Sequence, residues 1–138
     1  MPELKAHEVD HLVRAAIEAR DQAYAPHSHF YVGAALLTHE GSIISGCNVE
    51  NASYSLSLCA ERGAVATAVA QGHRKFRGVA IASVGGVTPC GACRQFLAEF
   101  GLDLTVIMIN VIDGQRRSRR LSLLLPEAFD GSSLPEHV

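Results

Sequence analysis

Several features that would place this chain of 138 residues in a specialised class are missing. It has no tryptophan, no internal repeat and no low-complexity linker, and no apolar run approaches the roughly 20 residues that span a bilayer. A net charge of −2 provides no strong overall field for nucleic acid or an anionic membrane, so neither partner is expected. The charged, amphipathic start differs from a signal peptide, and we expect a cytoplasmic protein. One compact domain over residues 1–138 is the expected organisation.

A disulfide framework is not expected either, because the cytoplasm keeps thiols reduced and the chain has only four cysteines. Three of them, Cys59, Cys90 and Cys93, stand at the starts of predicted helices. Clustered cysteines in a reducing compartment indicate metal ligands or catalytic groups. Cys47 lies alone on a predicted strand, where a cysteine is usually buried, and we interpret it as a core residue.

Apolar residues alternate between helical spacing and short continuous runs along the chain. Two runs flank Glu40-Gly41, which predicts a hairpin, and two later runs are apolar throughout, which predicts strands buried on both faces. This order predicts an α/β domain with three layers, in which the starts of the cysteine-bearing helices converge at one end of the sheet. The predicted helices cover about 3–23, 59–71, 90–100 and 122–129, and the predicted strands fall within 31–49 and at about 78–84, 104–110 and 116–120.

The spacing of three cysteines indicates a catalytic metal site. Cys90 and Cys93 are three apart, so a helix places both sulfurs on one face, as in a zinc half-site or a thiol-redox pair. Cys59 favours zinc, because it adds a third thiolate at another helix start, where the helix dipole stabilises the ionised form. Three protein ligands leave the fourth position of tetrahedral zinc to water, as catalytic sites require.

Charged residues next to the cysteines suit this interpretation. Three thiolates outweigh the charge of a zinc dication, and we expect Arg62 and Arg94 to offset the excess by donating to the sulfurs. Glu61 is expected to take a proton from the water. Taken singly, Glu61 would be a solvated helix residue and each cysteine a core residue, and it is their combination that favours a catalytic metal.

At these residues the chain resembles the small homotetrameric zinc-dependent cytidine deaminases. The resemblance extends from about Tyr24 to Phe129. It implies a three-layer α/β/α sandwich with a central mixed sheet of about five strands. It also implies one zinc ion per chain and active sites completed across the subunit interfaces of a homotetramer. The motifs that carry it are, in chain order, HFYVGAALLT, GCNVENASYSL, CAER, PCGACRQFL and LLPEAF.

The residues that match the family's motifs have implied roles as ligands, proton shuttle, substrate contacts and neighbours of the sulfurs. These are Cys59, Cys90 and Cys93 for zinc; Glu61 for proton transfer; Phe30, Asn48, Glu50 and Ala60 for the nucleoside; Tyr54 and Phe129 for the substrate across the interface; and Arg62 beside the sulfurs. An Asn–Glu pair offers a donor and an acceptor to sugar hydroxyls, whereas its carboxylate repels a phosphorylated sugar. Without the resemblance, Asn48 would be interpreted as a turn residue and Phe30 as a core residue.

The implied reaction is the hydrolytic deamination of cytidine or deoxycytidine to uridine or deoxyuridine and ammonia, a step of pyrimidine salvage. Water activated by zinc attacks C4, while Glu61 moves the water's proton to N3 and then passes a proton to the departing amine. The sequence does not rank cytidine against deoxycytidine, since both carry the 3′-hydroxyl.

Two alternatives stay open. One is a deaminase of the same superfamily that acts on another nucleoside or base, including adenosine in RNA. The basic run at 116–120 would bind phosphate in that case, but we interpret it as the solvated edge of a hairpin. The other is a protein without this activity, either a structural zinc module or a thiol-redox protein that uses Cys90 and Cys93 alone.

The chain departs from the family pattern close to the expected pocket and subunit contacts. His27 replaces a frequent tyrosine, Tyr31 a proline or basic residue, and Gly63 a larger residue in the first turn of a helix. Ser55 and Ser57 replace a proline and a glycine. We expect these changes to affect substrate preference and assembly and to leave the chemistry unchanged.

Overall fold

A mixed sheet of five strands lies between two layers of helices in the computed structural model, which describes residues 3–135. This confirms the expected three-layer α/β/α fold. The helices are α1 (Ala6–Arg20), α2 (Ala60–Ala70), α3 (Gly91–Ala98) and α4 (Leu121–Leu124), and the strands are β1 (Gly33–Thr38), β2 (Ile43–Cys47), β3 (Phe76–Ser83), β4 (Thr105–Asn110) and β5 (Arg116–Arg120). None of the helices in this part of the chain is long and apolar enough to cross a membrane.

The sheet is mixed because one of its strand pairs runs parallel. The strands follow one another as β2-β1-β3-β4-β5, with β3 and β4 parallel and the other neighbours antiparallel. The hairpin predicted at Glu40-Gly41 is confirmed, and Gly41 takes a φ of +98° that suits glycine in the turn. Parallel pairing of β3 with β4 requires a crossover connection, which α3 supplies.

The two faces of the sheet carry separate layers of the core. α1 covers one face with residues such as Leu12 and Ala16, whereas α2 and α3 cover the other with residues such as Val65 and Leu97. Strands β3 and β4 send alternate apolar side chains to both layers, and they are buried along almost their whole length. The prediction that these two strands are buried on both faces is confirmed.

Two glycines allow the helices to approach the hairpin closely. A Cβ atom on Gly33 would lie 2.0 Å from the Ala16 carbonyl oxygen, and one on Gly46 would lie 2.4 Å from the Ala64 nitrogen. Backbone contact at these distances leaves no room for a side chain. α1 and α2 are therefore held directly against β1 and β2, and this also sets the position at which α2 starts.

The register of the strands brings three loops to one edge of the sheet. Gly33 at the start of β1 pairs with Cys47 at the end of β2 and with Ala82 near the end of β3. The loops that precede β1, α2 and α3 therefore meet at this edge. Since α2 and α3 are the helices that begin with cysteines, their starts lie together, as the sequence predicts.

Two expectations differ from the structure. The helix predicted over 122–129 ends at Leu124, because Pro126 disfavours helical geometry in the residue before it, and Leu125 has φ −143° and ψ 71°. Cys47, expected in the core, is only half-buried. It ends β2, which is an edge strand and is covered less completely than the central strands.

Replacing Gly63 by alanine is expected to stabilise the protein. Gly63 lies in the first turn of α2, and the atom nearest to an added Cβ, Leu58 Cδ2, is 3.6 Å away, which is an ordinary contact. Alanine reduces the freedom of the unfolded chain, so we expect the free energy of unfolding in urea to rise by about 0.5–1 kcal/mol. Gly46→Ala, whose Cβ meets backbone at 2.4 Å, is the matched control and should lower it. A lower free energy of unfolding for Gly63→Ala would contradict this account.

An ion pair between α1 and β3 is expected to make stability depend on pH. Arg77 donates to both carboxylate oxygens of Glu8, at 2.6 and 3.1 Å, and lowers the pKa of this carboxyl group from 4.5 to about 2. Because the folded value is the lower one, the pair stabilises the fold above about pH 4.5, and this contribution is lost as the pH falls towards 2. Glu8→Gln should therefore flatten the loss of stability in that range, measured by urea unfolding at a series of pH values.

Asp10→Asn provides the control for this prediction. Asp10 pairs with Arg116 at 2.9 Å, but both side chains are largely exposed, so solvent screens their interaction. We expect this variant to follow the unchanged protein more closely than Glu8→Gln does. Identical pH profiles for Glu8→Gln and the unchanged protein would show that the pair does not contribute.

Candidate metal centre

Three cysteines take the starting positions of two helices. Cys59 caps α2 and Cys90 caps α3, each as the residue before the first helical one, and Cys93 lies in the first turn of α3. The Cys90 sulfur accepts a hydrogen bond from the Cys93 backbone N–H at 3.4 Å, as the oxygen of a capping serine would. Free N–H groups and the helix dipole both favour thiolate at these positions.

The sulfur atoms lie close enough to share one ion. All three are within 4.8 Å of one another, and the sulfurs of Cys59 and Cys90 are 3.9 Å apart. Tetrahedral zinc with bonds of about 2.3 Å separates its sulfur ligands by roughly 3.8 Å, so the spacing fits this ion. Exposure rises from the buried Cys93 through Cys59 to the exposed Cys90, and the cluster therefore lies between the core and the surface.

The pKa values of the cysteine thiols also favour a cation bound between them. The pKa of Cys59 is lowered to about 5, first because the Cys93 thiol donates to its sulfur and then because the Arg62 guanidinium does. The same contact, together with burial, raises the pKa of Cys93 above its ordinary value. Protein groups alone thus ionise one of these two cysteines at neutral pH, whereas a dication would hold both as thiolates. This soft, all-sulfur donor set fits zinc.

Glu61 is a buried carboxyl group in the first turn of α2, two residues after Cys59, and only 4% of it is exposed. Burial raises its pKa, and the neighbouring Cys59 thiolate raises it further. A carboxyl group with a raised pKa can both accept a proton and return it, which is the property that an acid/base catalyst needs.

The two arginines near the cysteines have different partners. Arg62 Nη2 lies 3.7 Å from the Cys59 sulfur. The expectation that Arg94 donates to a sulfur is wrong, because its guanidinium donates to the carbonyl oxygens of Pro89, at 2.8 Å, and Leu124, at 2.7 Å. The last carbonyl groups of a helix have no partner within it, and Leu124 ends α4. Arg94 therefore ties the turn before α3 to the end of α4.

A cleft of about 380 Å³ borders the cysteine cluster. Its size and its mixture of apolar and polar groups suit a small organic molecule. It brings together the four residues expected to contact a nucleoside in the same subunit, the buried glutamate and two of the three cysteines. The lining residues are Phe30, Val32, Asn48, Glu50, Ser57, Leu58, Cys59, Ala60, Glu61, Ile81, Val87, Thr88 and Cys90.

Sequence reasoning missed several of these residues. Val87 and Thr88 come from the loop between β3 and α3, and their position just before Pro89-Cys90 is a signal that could have identified them. Val32 and Ile81 give no comparable signal, because an apolar residue in or beside a strand has the same pattern whether it faces a helix or a cleft.

Tyr54 and Phe129 are not among the described residues that line the cleft of their own chain. Tyr54 is 76% exposed and Phe129 is 60% exposed. Tyr54 packs edge-on against His27, with ring centroids 6.2 Å apart, and the Phe129 carbonyl oxygen accepts from Gln95 Nε2 at 2.7 Å. Exposed aromatic side chains are compatible with contact to another subunit, and their role at a substrate site stays a prediction.

Cysteines at two helix starts beside a buried glutamate are the arrangement of zinc-dependent deaminases, and the fold places this protein in that class. Comparison with known sequences identifies the family within this class. The sequence model of the family described as "Cytidine and deoxycytidylate deaminase zinc-binding region" matches residues 6–109, and the chain belongs to this family.

Relatives match nearly the whole chain. The cytidine deaminase of Sporosarcina psychrophila is 43% identical over 129 residues, covering 92% of this chain and 95% of the relative. That of Halalkalibacterium halodurans is 46% identical over 127 residues, covering 89% and 95%. The crystal structure of cytidine deaminase from Burkholderia pseudomallei superposes with a TM-score of 0.84 at 46% identity, covering 91% of this chain and 100% of that one. The expected family and fold are thereby confirmed.

Loss of one sulfur is expected to weaken metal binding strongly. In Cys59→Ser the third ligand becomes a hydroxyl group, which is not ionised at neutral pH. Removing a group that only hydrogen-bonds to a ligand lowers metal affinity by roughly 10–100-fold. We expect the loss of a ligand itself to lower zinc affinity by more than that. Elemental analysis and chelator competition measure it. Cys47→Ser, at a cysteine outside the cluster, is the matched control and should retain zinc. Unchanged affinity in Cys59→Ser would rule out Cys59 as a ligand.

Proposed function

We propose that this protein deaminates cytidine and deoxycytidine hydrolytically, with zinc as its metal, and releases ammonia and the uracil nucleoside. The observation that carries the proposal is the meeting of three sulfurs, within 4.8 Å of one another, with the buried Glu61 at a cleft of about 380 Å³. Membership of the zinc-binding deaminase family supports the same activity, as do relatives named cytidine deaminase that match 92% and 89% of the chain.

Glu61 carries out the proton transfers of the proposed reaction. Bound at the three cysteines, zinc supplies a Lewis acid that makes water nucleophilic near neutral pH. As water attacks C4, Glu61 takes one of its protons and delivers it to ring N3. Glu61 then takes the second proton and passes it to the amino group, which leaves as ammonia when the C4–N bond breaks. Burial of Glu61, which raises its pKa, also separates these protons from bulk solvent.

The substrate contacts belong to the polar and aromatic residues of the cleft. Asn48 and Glu50 bind sugar hydroxyls, Phe30 packs against the pyrimidine, and the backbone of Ala60 contacts the base. The pKa of Glu50 is lowered, chiefly by the Ser28 hydroxyl, so its ionised carboxylate disfavours a phosphate on the sugar. A free nucleoside therefore suits the cleft better than a nucleotide.

Exposed apolar side chains support assembly of the chain with copies of itself. Tyr54, Leu56, Leu58 and Phe129 are 76, 70, 38 and 60% exposed, and contact between copies of the chain would cover them. The resemblance to the homotetrameric deaminases supports four subunits, each a single domain over residues 1–138 with one zinc ion. Such an enzyme takes part in pyrimidine salvage in the cytoplasm. In that compartment thiols stay reduced and free nucleosides are present. Sedimentation equilibrium measures the mass of the assembly.

The alternative functions have less support. β5 is the exposed edge strand expected from the basic run, and Arg116 at its start is paired with Asp10 at 2.9 Å. None of the described residues of β5 lines the cleft, so nothing links the basic run to an RNA substrate. A thiol-redox protein would use Cys90 and Cys93 alone, which leaves the buried Glu61 without a role.

Replacing Glu61 by glutamine is expected to remove most of the activity while zinc stays bound. Glutamine has a similar shape but transfers no proton, so kcat should fall by at least about 10²–10⁴-fold. The decrease in ultraviolet absorbance of cytidine measures the rate, and zinc per chain is determined on the same samples. Glu18→Gln, at an exposed position on α1, is the matched control and should keep full activity. Full activity in Glu61→Gln would contradict the mechanism.

The same assay across cytosine, cytidine, deoxycytidine and a cytidine nucleotide tests the function itself. We expect the unchanged enzyme to act on the two nucleosides and to act poorly on the free base and the nucleotide. A zinc-loaded enzyme that leaves both nucleosides intact would contradict the proposed function.

A further inference from the structure

The loop before β1 is held by the side chain of Asn48, which follows β2. Asn48 Oδ1 accepts from the Val32 backbone N–H, and Asn48 Nδ2 donates to the Phe30 carbonyl oxygen, each at 2.8 Å. These two bonds leave the amide with one donor hydrogen and one acceptor position. Asn48 therefore fixes the backbone on both sides of Tyr31, next to the point where Phe30 forms part of the cleft wall.

Glu50 holds an earlier part of the same loop. Glu50 Oε1 accepts from the backbone N–H groups of His27 and Ser28, each at 3.0 Å, and Glu50 Oε2 accepts from the Ser28 hydroxyl. The Ser28 hydroxyl oxygen in turn accepts from the Phe30 N–H at 3.0 Å. A single hydroxyl group thus links the carboxylate assigned to the sugar with the aromatic residue assigned to the base.

Most acceptor positions of Glu50 are already in use. An ionised carboxylate offers about four, two on each oxygen. The two backbone N–H groups occupy both positions on Oε1, and the Ser28 hydroxyl occupies one of the two on Oε2. This hydroxyl is also the largest cause of the lowered pKa of Glu50, so the carboxylate stays ionised at neutral pH. One charged acceptor position therefore remains for a ligand in the cleft.

We propose that Ser28 is a positioning residue whose hydroxyl orients Glu50 Oε2 to accept one sugar hydroxyl of the nucleoside and holds Phe30 in the adjoining wall. This inference rests on the proposed function, since it requires a nucleoside in the cleft. Ser28 is not one of the described residues that line the cleft, so it acts through Glu50 and Phe30. With one acceptor position to fill, Glu50 recognises one hydroxyl, and the enzyme tolerates a sugar that lacks the other.

The turn keeps other hydrogen bonds when the Ser28 hydroxyl is removed. His29 has a φ of +57°, and its N–H donates to the Ala25 carbonyl oxygen at 2.9 Å. The two backbone N–H groups that donate to Glu50 Oε1 remain as well. Ser28→Ala should therefore release Glu50 Oε2 and the Phe30 N–H, and allow the carboxylate to turn about its last side-chain torsion, which is a soft one. The expected consequence is weaker sugar recognition in a folded enzyme.

The experiment compares substrates that differ only in their sugar hydroxyls. The unchanged enzyme, Ser28→Ala and Ser28→Thr are assayed with cytidine, 2′-deoxycytidine and 2′,3′-dideoxycytidine. We expect Ser28→Ala to reduce the preference in kcat/KM for cytidine over the dideoxy analogue by about ten-fold, as for one hydrogen bond to a charged group, and to do so through KM. In each variant, kcat/KM for 2′-deoxycytidine should change by the same factor as kcat/KM for cytidine. Ser28→Thr retains a hydroxyl and should retain the preference.

Three results would overturn the inference. The first is an equal fall of kcat/KM for all three substrates in Ser28→Ala, which indicates a merely structural role. The second is a kcat/KM that does not change for any of the three substrates in Ser28→Ala, and the third is a lost preference in a folded Ser28→Thr. The threonine variant keeps the test decisive if Ser28→Ala does not fold. Ser42→Ala, at an exposed serine in the turn between β1 and β2, is the matched control and should equal the unchanged enzyme.

Failure of the proposed function would be recognisable separately. If the unchanged, zinc-loaded enzyme deaminates none of the three substrates, the function is wrong and the role of Ser28 is wrong with it. If the unchanged enzyme deaminates cytidine and one of the three contrary results is found, only the role of Ser28 is wrong.

Discussion

Three thiol groups within 4.8 Å of one another cannot all ionise unless they share a cation, and the rest of the site depends on this constraint. The chain meets it with two helix starts, whose dipoles favour negative charge, and with a guanidinium nitrogen 3.7 Å from the Cys59 sulfur. Glu61 lies in the first turn of α2, directly after Cys59 and Ala60, and its pKa is raised by burial and by the neighbouring Cys59 thiolate. The site therefore combines two effects, which are the concentration of negative charge at the helix starts and the burial of Glu61.

The sheet keeps the two helix starts together. Pairing of Gly33 with both Cys47 and Ala82 brings the ends of β2 and β3 to one edge, and the following segments lead into α2 and α3. The close contact at Gly46 sets the position of α2, and Arg94 ties the turn before α3 to α4. These restraints belong to the sheet and its helix layers, so the packing of the core sets the position of the sulfur cluster.

The side of the cleft that holds the residues proposed to bind the nucleoside is built on loops, and side-chain hydrogen bonds hold it. Asn48 and Glu50 bind the backbone of the preceding loop, so the groups assigned to the sugar also shape the wall beside the base. His27 contributes its backbone N–H to Glu50, a group that any residue except proline supplies. At Gly63, the nearest side-chain atom to an added Cβ is 3.6 Å away, so the small residue is not required by packing.

Local patterns in the sequence were sufficient for the order of helices and strands and for the grouping of three cysteines, because helical period and the chemistry of helix starts depend on near neighbours in the chain. Motif resemblance then supplied Phe30, Asn48 and Glu50. The partners of long polar side chains could not be read in this way, and Arg94 reaches the carbonyl of Leu124, 30 residues away, in place of a nearby sulfur. Ser28 gives no signal at all, since a serine in a loop looks the same with or without a carboxylate beside it. The sequence by itself therefore determined the elements and the metal chemistry, whereas the tertiary structure decided which groups hold one another, because those partners come from segments that only packing brings together.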